Sequence, residues 1–113
     1  MEEKQPFLKQ KIDLESPNKN IVPITTSIGG DGKLSVGGCS IEELVKKYDS
    51  PLYILDELTL RKSCKAYKKA LEKYYPGESL PIYASKANSS IFMSNLVSSE
   101  GFGLDAVSEG ELL

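Results

Sequence analysis

The sequence has 113 residues, 14 basic and 16 acidic, for a formal charge of −2, with no histidine and two cysteines. That balance gives no reason to expect nucleic acid or an anionic membrane as partner; no apolar run approaches the roughly 18 residues of a membrane span, and the start Met1-Glu2-Glu3-Lys4 lacks a signal-peptide core. The commonest general base and metal ligand is missing, and Cys39 and Cys64 are too few and too irregularly placed for a disulfide framework or a zinc site, so free thiols in a reducing cytoplasm are expected.

Residues 1–20 are polar and hold Pro6, Pro17, Asn18 and Asn20, which predicts a mobile lead-in. Residues 21–38 read as a β segment. Ile21 to Ile28 is β-prone, with Pro23 limiting it to an edge or a loose extended stretch. Gly29-Gly30-Asp31-Gly32-Lys33 is a turn. It lacks the Gly-Lys-Ser/Thr ending and the strand–helix frame of a phosphate cradle, so a hairpin turn is the better reading. Leu34-Ser35-Val36 is the return strand, closed by Gly37-Gly38.

From residue 39 the pattern changes. Ser40-Ile41-Glu42-Glu43 has the form of a capping box. Ile41, Leu44, Val45 and Tyr48 recur at i, i+3, i+4 and i+7, one face of a short helix, which Asp49-Ser50-Pro51 ends. Pro51 to Leu55 reads as a short strand buried on both sides, with Asp56-Glu57 as its polar end. Thr59 to Tyr75 is the clearest helix: Leu60, Cys64, Tyr67, Leu71 and Tyr74 share one face. Arg61, Lys62, Lys65, Lys68, Lys69 and Lys73 lie largely off that stripe and read as a solvated outer face. Pro76-Gly77 stops it.

Leu80 to Asn88 then reads as a strand that ends on Lys86, with Pro81 at its start. Asn88-Ser89-Ser90 supplies helix-start chemistry, and a helix over about Ser90 to Glu100 follows, its apolar side made by Phe92, Met93, Leu96 and Val97. Gly101 is its C-terminal glycine. Leu104 to Val107 is a further strand, and Ser108-Glu109-Gly110-Glu111 is a second capping-box pattern opening a helix. Gly101-Phe102-Gly103-Leu104-Asp105-Ala106 fits a dinucleotide fingerprint in letters but precedes its strand instead of following one, which excludes it. Strand and helix alternating three times predict parallel βαβ units and an α/β fold. Periodicity alone leaves barrel and open sheet both standing.

A lysine at the carboxyl end of a strand in an α/β fold can become a Schiff-base nucleophile; taken alone it reads far more readily as a solvated surface charge. Its neighbours carry more. Tyr83-Ala84-Ser85-Lys86-Ala87-Asn88 resembles the Tyr-Ala-x-Lys-Ala-Asn segment of the fold-type III pyridoxal-phosphate decarboxylases, the group of the diaminopimelate, ornithine and arginine decarboxylases. Gly103 to Leu112 resembles the Gly-x-Asp-x-x-Ser-x-Gly-Glu-Leu segment of the same family. Gly37-Gly38-Cys39, Ser50 to Glu57 and Leu60-Arg61 continue the resemblance upstream, in an order most similar to the diaminopimelate branch in bacteria. Ser85 departs from the family, where valine is usual.

The resemblance implies the N-terminal part of an alanine racemase-like (β/α)8 TIM barrel over 39–113, preceded at 21–38 by a piece of a separate β-rich domain. It implies pyridoxal 5'-phosphate as cofactor, a Schiff base on Lys86, and a cofactor-proximal role for Asp105, where the bland alternative is an aspartate bonded to loop amides. For Glu111, a role near the site and a capping role stand equal. Asn88 and Ser89 could assist the pocket, with helix capping the simpler account. The implied reaction is decarboxylation of meso-2,6-diaminopimelate to L-lysine by a cytoplasmic homodimer. An arginine or ornithine decarboxylase and a non-catalytic homologue are the alternatives. A barrel of this kind needs about 250 residues, so the chain reads as part of a longer protein, inactive as a piece because the remaining site elements would lie beyond Leu113.

Overall fold

A five-residue loop and a pair of glycines shape the first sheet of the computed structural model, which describes residues 21–112. The expected lead-in over 1–20 lies outside the described residues. β1 (Ser27–Ile28) pairs antiparallel with β2 (Leu34–Val36), Ile28 opposite Leu34. The hairpin expected at Gly29 to Lys33 is present: the Gly29 N–H donates to the Lys33 carbonyl at 2.9 Å, and Asp31 Oδ1 accepts the Lys33 N–H at 3.1 Å. The sheet continues past Gly38, where the sequence reading ended it. β3 (Cys39–Ser40) pairs antiparallel with β2, Val36 opposite Cys39. Gly37 at φ +59° and Gly38 at φ +78° are the reason. Two consecutive left-handed residues make a type I′ turn, whose twist matches that of the strands it joins.

α1 (Ile41–Tyr48) forms as expected, with Ile41 and Leu44 half-buried. Val45 and Tyr48, assigned to the same face, remain 38% and 58% exposed. Ser40 stands at the N-cap, but its side chain makes no capping hydrogen bond. The expected box does not close; the Glu42 carboxylate instead accepts from Lys33 Nζ on the adjoining hairpin at 2.8 Å. Asp49, at φ +67°, ends the helix and donates its N–H to the Val45 carbonyl.

The buried strand expected over 51–55 does not form. Among the described residues no strand pairs with it, and Tyr53 is 97% exposed. An apolar run records a tendency to be covered; a strand needs neighbours that supply the ladder and the cover. Asp56 next to it has a defined task. Its carboxylate accepts the Thr59 N–H at 3.0 Å and the Thr59 hydroxyl, an N-cap arrangement. That cap starts α2 (Glu57–Tyr74) two residues before the expected Thr59. The chain divides into two compact units, one ending at Thr59 and the next beginning at Leu60.

The second unit is a β-α-β arrangement. β4 (Ile82–Ala84), α3 (Ile91–Ser99) and β5 (Gly103–Asp105) follow in order, and the two strands pair in parallel: Ile82 with Gly103, Tyr83 with Leu104, Ala84 with Asp105. Its core is Cys64 from α2 with Met93, Leu96 and Val97 from α3, and Leu60, Tyr83 and Phe102 pack against it. On α3 the buried positions are i, i+3 and i+4 from Met93, one helical face. Phe92, expected on that side, is 44% exposed. The α2 stripe is covered unevenly: Leu60, Cys64 and Leu71 are buried or half-buried, whereas Tyr67 and Tyr74 are 65% and 75% exposed.

Both ends of α3 follow the expected chemistry. Ser90 is the N-cap and accepts the Met93 N–H at 3.3 Å. At the other end the Phe102 N–H reaches the Val97 carbonyl at 3.0 Å and the Gly101 N–H the Ser98 carbonyl at 2.9 Å. This is a Schellman motif, with Gly101 at φ +82° and the customary apolar contact between Phe102 and Val97. The fold is mixed α/β. The three expected strand–helix units reduce, among the described residues, to one parallel pair, and the helix expected at Ser108 is a single 3-10 turn over Glu109–Glu111.

Candidate functional site

The carboxyl ends of β4 and β5 bring the sequence-predicted residues to one edge. β4 stops at Ala84, and Ser85–Ala87 coil into a 3-10 turn, so Lys86 stands on the turn directly after the strand, exposed to solvent. Asp105 is the last residue of β5 and the register partner of Ala84. Neighbouring strands lie about 4.8 Å apart, which puts both residues at the end of a parallel pair, where α/β proteins assemble their sites.

Ser85 joins the two strand ends. It is 4% exposed. Its hydroxyl donates to the Asp105 carbonyl at 2.7 Å and lies 3.3 Å from Glu111 Oε1. A hydroxyl carries one proton, so it serves one of these acceptors at a time, and the shorter contact is with Asp105. The other Glu111 oxygen, Oε2, accepts the Val107 N–H at 2.5 Å and the Ser108 N–H at 2.8 Å. The Ser108 N–H, then that of Val107, hold the Glu111 carboxyl below its ordinary range. Glu111 thus closes the loop after β5 on itself, as its capping-box spacing predicts, and also faces Ser85. The sequence reading passed over Ser85 as merely small. One signal was available: alternation puts it on the side of Tyr83, which packs on the core, and a buried hydroxyl requires a partner.

Asn88 is committed to local structure. Its carbonyl accepts the Tyr83 hydroxyl at 3.2 Å and its Oδ1 the Ser90 N–H at 3.0 Å. Ser89 is exposed. On the basic side of α2, Lys62, Lys65, Lys69 and Lys73 are exposed as expected. Arg61 and Lys68 are not simply solvated: Arg61 bonds Ser99 Oγ at 3.0 Å and Glu100 Oε1 at 2.7 Å, and Lys68 Nζ bonds the Glu100 carbonyl at 3.2 Å. Arg61, first among its neighbours, keeps the Glu100 carboxyl below the usual range. A cavity of 390 Å³ between α2, β4 and α3 is lined by Leu60, Cys64, Tyr67, Tyr83, Met93 and Phe102 among others. Burial, and then the Glu100 charge, push the Cys64 thiol up. Neither Lys86 nor Asp105 lines this cavity, so it is a space within the core layer and not the site.

Chemically, the strand-end edge offers one solvent-reachable primary amine with carboxylates on the adjoining strand end and loop. That set suits a carbonyl compound, which an amine bonds covalently and an acid helps to orient. Among the described residues no cluster of His, Cys, Asp or Glu could hold a metal ion, and no helix is long and apolar enough to cross a membrane.

Comparison with known proteins agrees with this chemistry. Residues 57–113 match the family described as pyridoxal-dependent decarboxylase, pyridoxal binding domain. The chain is 48% identical over 97 residues to a diaminopimelate decarboxylase of Synechocystis sp., covering 86% of this chain and 21% of the relative. It is 38% identical over 82 residues to a diaminopimelate decarboxylase of Archaeoglobus fulgidus (73% and 18% covered) and 42% identical over 82 residues to that of Bacillus subtilis (72% and 18%). The chain spans about a fifth of the length of these curated relatives. It belongs to the pyridoxal-dependent decarboxylases, its residues 57–113 matching the model of their pyridoxal-binding domain.

Proposed function

We propose that this chain forms the cofactor-binding start of a pyridoxal-phosphate decarboxylase that converts meso-2,6-diaminopimelate into L-lysine and carbon dioxide. The observation that carries the reading is the juxtaposition of Lys86 and Asp105 at one strand-end edge, within the residues matched to a pyridoxal-binding domain. The choice of diaminopimelate over ornithine or arginine rests on the names of the relatives.

Lys86 is the covalent anchor. Its amine would hold pyridoxal phosphate at the cofactor's aldehyde carbon, from the turn directly after β4. Bound pyridoxal phosphate supplies an electron sink for the pair left on the α-carbon when the carboxylate departs as carbon dioxide. Asp105 sets a negative charge beside that anchor and favours cationic groups there. Lys86 Nζ, when not engaged with the cofactor, could hold a proton and pass it to substrate. The rest of an alanine racemase-like (β/α)8 barrel, the β-rich domain to which 21–38 would contribute, a homodimer and a cytoplasmic setting belong to the same proposal.

The test is borohydride reduction of the full-length, cofactor-loaded protein followed by peptide mapping. A pyridoxyl tag on Lys86, absent in Lys86→Ala, is the expected result; a tag on another lysine, or none, ends the reading. Carbon dioxide release should be fastest from diaminopimelate, and a preference for ornithine or arginine would overturn the substrate.

A further inference from the structure

We propose that Ser85 is a positioning residue: its buried hydroxyl, with Glu111, ties the turn bearing Lys86 to the loop after β5, so that amine and Asp105 are held as one body. The inference rests on the reading of Lys86 as cofactor anchor, and goes beyond it by assigning work to a residue that touches no cofactor.

Three observations converge. Ser85 immediately precedes Lys86 and is almost wholly buried, whereas Lys86 is exposed. Its hydroxyl reaches across the sheet end to the carbonyl of Asp105, 20 residues on, at 2.7 Å. Glu111 then stands with Oε1 3.3 Å from that hydroxyl and Oε2 on the N–H groups of Val107 and Ser108. One carboxylate thereby spans the gap between the turn after β4 and the loop after β5. β4 and β5 are three residues each, so the ladder alone is short. A turn following so short a strand frays unless side chains hold it. A reactive amine misplaced by about 1 Å loses much of its rate.

The link makes Ser85 different from a merely satisfied core hydroxyl. If the hydroxyl only quenched the Asp105 carbonyl, its removal would change neither the loop after β5 nor the amine on Lys86. If it couples them, both respond together, and a variant that keeps the hydroxyl restores both.

The experiment uses the full-length protein in wild-type, Ser85→Ala and Ser85→Thr forms. Alanine fits the site and removes the hydroxyl; threonine keeps it. The first readout, on cofactor-free protein, is amide exchange at Val107 and Ser108. Loss of one buried hydrogen bond of about 1 kcal/mol predicts exchange about five-fold faster in Ser85→Ala. The second is the rate at which Lys86 takes up pyridoxal phosphate, followed by borohydride trapping and mass mapping. It should fall about five-fold in Ser85→Ala, on the same hydrogen-bond scale, and Ser85→Thr should recover both. Glu111→Gln reads the same link from the other side, and covers the case in which Ser85→Ala fails to fold. Its neutral amide oxygen accepts the loop N–H groups more weakly than the carboxylate does, so exchange should again quicken. Unchanged exchange and unchanged uptake in Ser85→Ala, or in Glu111→Gln where that variant stands in, overturn the proposal. A wild-type protein that carries no tag on Lys86 overturns the anchor reading instead, while the exchange arm still decides whether the link exists.

Discussion

Gly101→Ala tests how α3 is delivered into β5, the strand that ends on Asp105. Gly101 sits at φ +82°, where an L side chain costs about 1–2 kcal/mol. A Cβ there would also stand 3.0 Å from Lys68 Nζ. That ammonium is the flexible end of its chain and can withdraw, but withdrawal loses its hydrogen bond to the Glu100 carbonyl. The bond is part-exposed and contributes roughly 0.5–1 kcal/mol. Together the two effects predict a loss of about 2 kcal/mol, a factor of roughly 30 in the folding equilibrium. Urea titration monitored by circular dichroism measures it. Gly101→Asn should lose less, because asparagine tolerates the left-handed region. In a Lys68→Met background the alanine penalty should shrink to the backbone part alone. A Gly101→Ala protein within about 0.5 kcal/mol of wild type, on the scale of ordinary surface substitutions, would refute the Schellman account.

Leu96→Ala removes a side chain that is 3% exposed from a four-residue core and should cost about 2–5 kcal/mol, the range for such truncations; the same titration reads it. Cys39 is exposed and Cys64 buried with its thiol pushed up by burial, so iodoacetamide should modify Cys39 first, and mass mapping that finds Cys64 labelled first would contradict the packing. The Glu111 carboxyl titrates low in the folded protein because the Ser108 and Val107 N–H groups bond its charged form. Its hold on the loop is therefore complete above the unfolded value of about 4.3 and is lost as pH falls through the lowered folded value. Carbon-13 detection should give a Glu111 midpoint below that of free glutamate, and the protection of the Val107 and Ser108 amides, relative to their intrinsic exchange at each pH, should fall as pH drops through it. Arg61→Ala should raise the Glu100 midpoint, since the Arg61 guanidinium is the main cause of its depression; an unmoved midpoint would show that Lys65 and Lys68 suffice.

Much of the second unit was legible in the letters because its signals are local. The i, i+3, i+4 spacing of Met93, Leu96 and Val97, Ser90 before the helix, and Gly101 after it each act within a turn or two of chain. The segments around Lys86 and Asp105 were readable for the same reason: a residue at a strand end announces itself by where the apolar alternation stops. Two misreadings show the limit. The run Pro51 to Leu55 has a strand's composition, but among the described residues nothing pairs with it. Gly37-Gly38 reads as an ending, yet its two left-handed residues turn a hairpin whose second strand is only Cys39 and Ser40.

By itself the sequence determined helices α1 to α3, the Gly29 to Lys33 turn, the strand-end lysine and the segments shared with the pyridoxal-dependent decarboxylases. Those features depend on periodicity, backbone preference and capping, which are decided among residues a few positions apart. Only the tertiary structure decided that the Ser85 hydroxyl meets the Asp105 carbonyl and Glu111, that Arg61 and Lys68 anchor the end of α3, and that Tyr67 and Tyr74 of the α2 stripe stay uncovered. Those contacts join residues 20 to 39 positions apart. Which of many possible partners a side chain meets over such a separation is set by the packing of the strands and helices that carry it.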